Sequence, residues 1–271
     1  MSSTNTEPLF IFIDGSYFIY NCYFTIINIY KNKLEDGQIL EDIVMTDKFL
    51  RHYTTIFNNK LTSVKNNFDK QNRAIIIVGK DCSRNEIWRT SLYSKYKGNR
   101  PKNNCIKYIF NYTYNHNLFI NNNARTILYH PKLEADDCIA LTVKFIKSNL
   151  SKYIINIITS DADYLQLVSS NINIYDLNFK NISEKSLGDS ECNLFCKIVA
   201  GDSSDNIKSI FPKCGPKTAL KYYNDKEKFN NILNISFEYV NNYELNKQLI
   251  DFKNIPKNLE YEFLSTPLKI Y

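Results

Sequence analysis

Three short runs of apolar residues, each ending at acidic or polar residues, dominate the pattern of the chain. They are Leu9 to Ile13 (LFIFI), Ala74 to Gly79 (AIIIVG) and Ile154 to Thr159 (IINIIT). Continuous apolar runs rich in β-branched residues and bounded by polar turns predict strands buried in a parallel sheet. Thr126 to Tyr129 and Ile172 to Tyr175 are candidates for two further strands.

Helical periodicity fills the spaces between these runs, over residues 17 to 30, 47 to 68 and 133 to 147. Strands that alternate with helices predict a doubly wound α/β sheet, whose ligand site lies beyond the carboxyl ends of the strands. After about Gly188 the predicted strands stop and the pattern becomes helical. We therefore expect a sheet-containing core over 1–188 and a helical region over 189–271.

Composition narrows the choice of function only slightly. The 271 residues carry 34 Lys and Arg against 28 Asp and Glu, a net charge of +6 that is compatible with nucleic-acid binding. The 7 cysteines include no C-x-x-C pair, which argues against a disulfide framework or a zinc site and favours an intracellular, reducing compartment. No apolar run reaches the ~18 residues of a membrane span, so we expect no membrane association.

The most informative feature is a set of acidic residues that follow the predicted strands or begin the next helix. The set consists of Asp14, Asp81, Glu134, Asp136, Asp137, Asp161, Asp163, Asp202 and Asp205. Each motif alone has an ordinary explanation, as a helix N-cap, a first-turn acid or a turn. Together they would meet at one edge of the sheet, where their repulsion requires neutralising cations. Oxygen ligands favour Mg²⁺ or Mn²⁺, and two such ions ~3.5–4 Å apart can hold a phosphodiester.

A strongly basic segment follows the second strand. Between Cys82 and Lys107 there are seven basic residues and one acid, Glu86. Three aromatic residues lie among them, and a fourth directly follows Lys107. The basic residues are Arg84, Arg89, Lys95, Lys97, Arg100, Lys102 and Lys107, and the aromatic ones are Trp88, Tyr93, Tyr96 and Tyr108. Interleaved cations and aromatics suit single-stranded nucleic acid. The alternative is a solvated basic helix whose aromatic side chains pack inward.

Six motifs, taken in order, resemble those of the flap endonuclease and 5′→3′ exonuclease superfamily. The similarity is greatest to its short phage and viral members, including phage ribonuclease H. The motifs are Asp14-Gly15, Asp81, Tyr96-Lys97-Gly98-Asn99-Arg100, Glu134-Ala135-Asp136-Asp137, Ser160-Asp161-x-Asp163 and Gly201-Asp202-x-x-Asp205-Asn206. The resemblance implies a PIN-like α/β fold with a mostly parallel sheet, a helical arch at about 82–131 and a C-terminal helix–hairpin–helix.

The resemblance also implies roles for these side chains. A tighter metal cluster would consist of Asp14, Asp81, Glu134, Asp136 and Asp161. An outer or second-metal group would consist of Asp137, Asp163, Asp202 and Asp205. Lys97 and Arg89 resemble the arch cations that contact the scissile phosphate, and Arg84 and Arg100 are candidate nucleic-acid contacts beside them.

The hairpin departs from the pattern of the family. The family usually has Gly-x-Gly, whereas this chain has Lys213-Cys214-Gly215, followed by a helix start that includes Lys217 and Thr218. Lys213, Gly215, Lys217 and Thr218 remain candidate contacts to duplex phosphates. The departure leaves open whether a potassium ion binds at this hairpin.

The resemblance implies a metal-dependent 5′ nuclease that acts as a monomer on 5′-flap, nicked or RNA-primed DNA during replication or repair. Branched or nicked DNA and RNA–DNA hybrid are therefore the expected partners. One alternative is a PIN-type ribonuclease, although such enzymes usually lack the arch and the helix–hairpin–helix. Another is a non-catalytic, structure-specific DNA-binding protein, which would be expected to lack some of the acids. The sequence leaves open whether flap cutting, exonuclease action or primer removal dominates, and whether the strand threads the arch.

Overall fold

A computed structural model describes residues 7–31, 40–101 and 103–267. Its centre is a five-stranded sheet of order β3-β2-β1-β4-β5 in which every neighbouring pair is parallel. The strands are β1 (Leu9–Asp14), β2 (Ile75–Gly79), β3 (Thr126–Leu128), β4 (Ile154–Ile158) and β5 (Ile172–Tyr175). All five strands predicted from the sequence are confirmed, and the sheet is doubly wound as expected.

The register of the central strand determines which residues meet at the edge of the sheet. Asp14, the last residue of β1, lies opposite Gly79 at the end of β2, and Ile13 lies opposite Ile158 at the end of β4. The acidic residues that follow β2 and β4 therefore emerge beside Asp14. This proximity follows from parallel pairing, which puts all carboxyl ends at one edge.

Helices cover both faces of the sheet. They are α1 (Gly15–Lys31), α2 (Leu40–Val44), α3 (Asp47–Phe68), α4 (Arg89–Leu92), α5 (Asn104–Asn115), α6 (Leu118–Asn121), α7 (Ala135–Asn149), α8 (Ser190–Ala200), α9 (Pro216–Asn224), α10 (Lys226–Leu233), α11 (Phe237–Ile250) and α12 (Lys257–Ser265). The three helices predicted between the strands correspond to α1, α3 and α7. Helix α7 begins with a capping box, because the Glu134 and Asp137 side chains bond each other's backbone amides.

Alternate residues of β1 pack into two different cores. Ile11 and Ile13 point towards α1, α3 and α5, whereas Phe10 and Phe12 point towards α7 on the opposite face. All four side chains are fully buried. This two-sided burial explains why the strand has no polar residue before Asp14.

The region after Gly188 is helical, as predicted, and helices α8, α9 and α10 share a separate hydrophobic cluster around Phe211 and Phe229. The segment that includes α12 packs against a different core. Phe252, Leu259 and Phe263 pack into the core beside α7, on the sheet. The division at 188 into two domains remains a prediction, and the last described helix contacts the first of these units.

The basic segment expected to form an arch packs against the body of the protein. Trp88 and Tyr96 are 6% and 5% exposed, and Ile106 and Ile109 of α5 enter the core shared with α1 and α3. For Trp88 and Tyr96 the inward-packing alternative is therefore correct, because both rings fill hydrophobic clusters. Lys102 lies outside the described residues. Among the described helices, none combines the length and apolar character needed to cross a membrane.

Candidate metal centre and nucleic-acid interface

A cleft of about 1470 Å³ opens at the carboxyl ends of the central strands. Six of the nine acids singled out in the sequence line it, together with basic side chains at its rim. The acids are Asp14, Asp81, Glu134, Asp136, Asp161 and Asp202. The fold thus brings together carboxylates that lie up to 188 positions apart in the chain, from Asp14 to Asp202.

Asp14 lies at the bottom of this cleft. Its carboxylate accepts hydrogen bonds from the Tyr17 amide at 3.0 Å and from the Thr159 hydroxyl at 3.1 Å. Burial, followed by the negative charge of Asp81, raises the pKa of Asp14 to about 7. Without a cation, this carboxyl therefore retains its proton at pH values far above those at which an aspartic acid ordinarily ionises.

Asp81 connects the end of β2 to the start of α7. Its carboxylate accepts hydrogen bonds from the Ala135 amide at 2.7 Å and from the Ser16 hydroxyl. Burial and the neighbouring Glu134 charge raise the pKa of Asp81. Ser16 and Thr159 were not singled out in the sequence, since isolated hydroxyl residues beside a turn carry no distinctive pattern.

Two groups of acids have the spacing needed to share a cation. Ligand oxygens of Glu134, Asp136 and Asp137 lie within 4.8 Å of one another, and so do those of Asp163, Asp202 and Asp205. In the first group, burial and the Asp137 charge raise the pKa of Asp136. Burial first, and the neighbouring negative charges second, thus favour the protonated forms of Asp14, Asp81 and Asp136 when no cation is bound.

The donor set fits hard divalent cations. Both groups offer carboxylate oxygens alone, the ligands that hard divalent cations prefer. A bound cation would replace the protons that Asp14 and Asp136 otherwise retain, and metal binding at such sites releases protons. The residues present therefore fit the divalent ions that the sequence predicts.

Lys97 faces this centre from a strained backbone position. Its φ of 52° is in the left-handed region, and its amide donates to the Asp205 carbonyl at 2.9 Å. Its ammonium group donates to the Glu134 carboxylate and lies 3.6 Å from Asp205. A non-glycine residue with positive φ at a functional site is held there by its surroundings, here by these acids.

Arg89 does not occupy the phosphate-contacting position that the family resemblance implies for an arch cation. The side chain is 2% exposed, and its guanidinium donates four hydrogen bonds, to Asp137, to Glu134 and to the Leu249 carbonyl. These bonds direct it into the protein interior, and it does not line the cleft. We correct its assignment from a phosphate-contacting cation to a buried partner of the acids at the start of α7.

Asp137 also lies away from the metal-binding position that the family resemblance implies. It is fully buried and bonds Arg89 through both oxygens, and one oxygen also accepts from the Trp88 indole at 2.9 Å. It lies behind Glu134 and Asp136 and does not line the cleft. We therefore regard it as an anchor of the centre. The i,i+3 spacing of Glu134 and Asp137 could not reveal this buried position, because it does not show that α7 directs the Asp137 side chain towards Arg89.

Lys197 is a functional candidate that sequence reasoning missed. Its ammonium group pairs with Asp163 and lies 2.9 Å from Asp202, so it neutralises the second group of acids. Although burial opposes it, this pairing lowers the pKa of Asp202 to about 2. Its sequence signal is weak, a lysine on the helix that precedes the Gly201-Asp202 motif.

The remaining predicted contacts lie around the rim. Arg100 lines the cleft and pairs with Asp205, and exposed Arg84 donates to the Arg100 carbonyl at 3.0 Å. At the hairpin, Lys213 is exposed and has a φ of 56°. Lys217 is exposed and Thr218 half-buried, both in the first turn of α9. The space that a β-carbon would fill at Gly215 is open.

An exposed aromatic side chain also reaches the cleft. Tyr20 of α1 lines it and is 40% exposed, and its ring stacks on Phe24 at 6.0 Å between centroids and 17° between planes. No motif in the sequence distinguishes Tyr20 from the other residues among the 20 tyrosines. Its significance comes from the position of α1 directly after Asp14.

A parallel PIN-like sheet with a carboxylate centre and a basic rim defines a class of α/β nucleases. A family model described as the 5′-3′ exonuclease, N-terminal resolvase-like domain matches residues 9–192. This match spans more than half of the chain. The protein belongs to this 5′-3′ exonuclease family, as the motifs predicted.

Two curated relatives have names of nucleases. A 5′-3′ exonuclease of Buchnera aphidicola subsp. Schizaphis graminum is 28% identical over 247 residues, which cover 86% of this chain and 76% of the relative. The ribonuclease H of Enterobacteria phage T4 is 33% identical over 144 residues, or 47% of this chain and 46% of the phage protein. The similarity to a phage member is thus confirmed.

Solved structures agree on the fold. A bacteriophage T5 flap endonuclease, crystallised as a complex with DNA and metal ions, has a TM-score of 0.65 and 16% sequence identity. The alignment covers 97% of this chain and 98% of the phage chain. At this identity the comparison supports the architecture, and the site of this chain rests on its own residues.

Proposed function

We propose that this protein hydrolyses phosphodiester bonds where a free 5′ single strand meets a duplex, using two divalent cations, Mg²⁺ or Mn²⁺. The observation that carries the proposal is the cleft, which combines six carboxylates at its base with Lys97, Arg100 and Lys197 beside them. Such a site binds metal ions and phosphates together. The names of the relatives, exonuclease, ribonuclease H and flap endonuclease, describe nucleases of this kind.

Five acids would hold one ion and three the other. The first set is Asp14, Asp81, Glu134, Asp136 and Asp161, and the second is Asp163, Asp202 and Asp205. When bound, divalent ions supply charge stabilisation at the attacking and leaving oxygens of a phosphodiester. Lys197, which now neutralises Asp163 and Asp202, would exchange its carboxylate contacts as an ion binds there.

Lys97 would bind the scissile phosphate. In the structure its charge is held by Glu134, and this carboxylate raises the pKa of Lys97 even though burial opposes it. A lysine that is always charged can stabilise the negative charge that develops on a phosphate in the transition state. The strain at its φ of 52° orients the side chain towards the acids before substrate binds.

The single strand would approach along the rim that Tyr20 shares with Arg100. Both side chains line the cleft. A stacked aromatic pair offers a base-stacking surface, while the guanidinium pairs with phosphate. Because Trp88 and Tyr96 are buried, we assign the base-stacking role predicted for the basic segment to Tyr20 and Phe24 instead.

The duplex would be held by the hairpin and the start of α9. The open space at Gly215 and the exposed Lys213 and Lys217 suit a phosphate that approaches backbone amides at a helix N-terminus. These contacts involve the DNA backbone, so sequence preference would be slight. In this proposal the unit over 1–188 carries the chemistry and the unit over 189–271 binds the duplex.

The test uses one sequence assembled as a 5′ flap, a 3′ flap, a nicked duplex, a blunt duplex and an RNA-primed duplex. With Mg²⁺ or Mn²⁺ the 5′ flap should be cut fastest, near the junction, and chelator should abolish cutting. Asp161→Asn should bind the flap and fail to cut it. Equal cutting of both flaps would contradict the polarity.

The same substrates separate the remaining hypotheses. A bulky group on the 5′ end should slow cutting if the strand is threaded. Cleavage confined to structured RNA would favour a PIN-type ribonuclease, and tight binding without cutting in any divalent metal would favour a non-catalytic DNA-binding protein. Replacing K⁺ by Na⁺ tests whether the hairpin needs potassium, given that Lys213 stands where the family has glycine.

A further inference from the structure

Two tyrosine hydroxyls lie buried beside the metal centre without a hydrogen-bond partner in the described part of the chain. They belong to Tyr114 and Tyr164. Buried hydroxyls of folded proteins are nearly always hydrogen-bonded, and an exception requires an explanation. Other buried tyrosines here follow that rule. Tyr53 lies 2.7 Å from the Thr113 hydroxyl, and Tyr96 lies 2.9 Å from Glu134.

Tyr164 approaches the acids from the α7 side of the sheet. It is fully buried and follows Asp163 directly, in a short 3-10 helix that begins after Asp161. Its ring packs in the core shared with Phe12, 6.5 Å from the ring of Phe252. Burial, followed by the charges of Asp14 and Asp136, raises its pKa.

Tyr114 approaches from the opposite face, where it packs beside α1. A β-carbon at Gly15 would lie 2.6 Å from the Tyr114 hydroxyl oxygen and 2.5 Å from the Gly79 carbonyl. Glycine after Asp14 therefore makes room for this hydroxyl between the ends of β1 and β2. The ammonium group of Lys80, the residue before Asp81, lies 4.4 Å from the centre of the Tyr114 ring and covers it.

We infer that the hydroxyls of Tyr114 and Tyr164 are outer hydrogen-bond donors of the metal centre, each donating to an oxygen ligand of a bound divalent cation. The inference rests on the proposed function, because it requires that cations bind. Both tyrosines are positioning residues, since they would act through the ligands and not on the substrate. Loss of such an outer partner typically weakens metal affinity by about 10–100-fold.

The experiment titrates MnCl₂ into the full chain, without nucleic acid, by isothermal calorimetry. Tyr164→Phe and Tyr114→Phe should each weaken Mn²⁺ binding about 10-fold. In chelator, both variants should unfold at the same temperature as the unaltered protein or higher, because phenylalanine removes a buried hydroxyl that has no hydrogen-bond partner among the described residues. Tyr53→Phe is the matched control, for its hydroxyl is bonded. It should unfold at a lower temperature and bind Mn²⁺ normally.

Unchanged Mn²⁺ affinity in both variants would overturn the inference. A lower unfolding temperature in chelator with normal affinity would also overturn it, since the hydroxyls would then have structural partners within the chain. Both outcomes leave the proposed function intact, provided that the unaltered protein binds Mn²⁺ and cuts the 5′ flap. If the unaltered protein neither binds Mn²⁺ nor cuts, the proposed function and the inference fail together.

Discussion

Arg89 and Asp137 form a two-pronged ion pair in the interior, with both nitrogen–oxygen distances equal to 2.7 Å. Neither side chain is more than 2% exposed. Asp137 in turn accepts a hydrogen bond from the backbone amide of Glu134, the N-cap residue of helix α7. The pair therefore fixes the start of the helix that carries Glu134 and Asp136, although neither partner lines the cleft.

Replacing Arg89 should act mainly on the free energy of unfolding and not directly on the cleavage step. Arg89→Met leaves the Asp137 charge buried without its main partner, which typically costs 3–5 kcal/mol of unfolding free energy. Urea unfolding in chelator measures this loss. Arg84→Met is the control, because Arg84 is exposed, and should change stability by less than about 0.5 kcal/mol. A fully stable Arg89→Met protein that cuts slowly would instead favour the phosphate-contact role.

The metal-free protein should lose stability as the pH rises from about 4 to 7. Asp14 keeps its proton up to a pKa of about 7 in the folded state, against 3.8 ordinarily, so the unfolded chain releases the proton first. Asp14→Asn does not titrate. It should therefore become more stable than the unaltered protein across this range, by at most about 4 kcal/mol. Unfolding in chelator at several pH values measures the difference, which should stay flat below pH 4 and above pH 7. A difference independent of pH would contradict the assignment.

Metal binding should show the opposite pH trend at the same site. A divalent cation needs the Asp14 carboxylate without its proton, so Mg²⁺ or Mn²⁺ affinity should increase as the pH rises towards 7. Calorimetry in buffers of different ionisation enthalpy would detect the released protons. Asp14→Asn should bind the cation more weakly and abolish cutting at every pH. Proton release that is unchanged in Asp14→Asn would mean that another acid carries the proton.

Lys97→Ala should slow the reaction far more than it weakens binding. The Lys97 ammonium lies at the centre, beside Glu134, and acts on charge that develops in the transition state. We expect the single-turnover rate at saturating substrate to fall about 10²-fold or more. Lys95→Ala, which removes an exposed lysine two residues away, should leave the rate nearly unchanged. If Lys97→Ala alters only the affinity, its proposed role is wrong.

Lys213 offers a test of the hairpin. Its φ of 56° suits glycine, so Lys213→Gly should be about 1 kcal/mol more stable than Lys213→Ala, which retains a β-carbon. Both variants lose the charge. Both should bind duplex more weakly and reduce the salt dependence of binding by about one ion. Equal stability of the two variants would show that the backbone relaxes, and unchanged salt dependence would remove Lys213 from the interface.

The sequence alone determined the fold class and most of the acids in the cleft. Buried strands need continuous apolar runs, and parallel strands end at a common edge, so Asp14, Asp81 and Asp161 could be placed together without coordinates. The family could be inferred for the same reason. Its motifs are local strings, and local strings are visible in a sequence.

Only the tertiary structure decided which side of each element faces the cleft. Arg89 and Asp137 belong to motifs that suggest contact with substrate and metal, yet they face each other in the interior. Lys197 and Tyr20 have no motif, yet they line the cleft. The direction of a side chain depends on how its helix packs against distant segments, and that packing is the sum of many contacts between residues far apart in the chain.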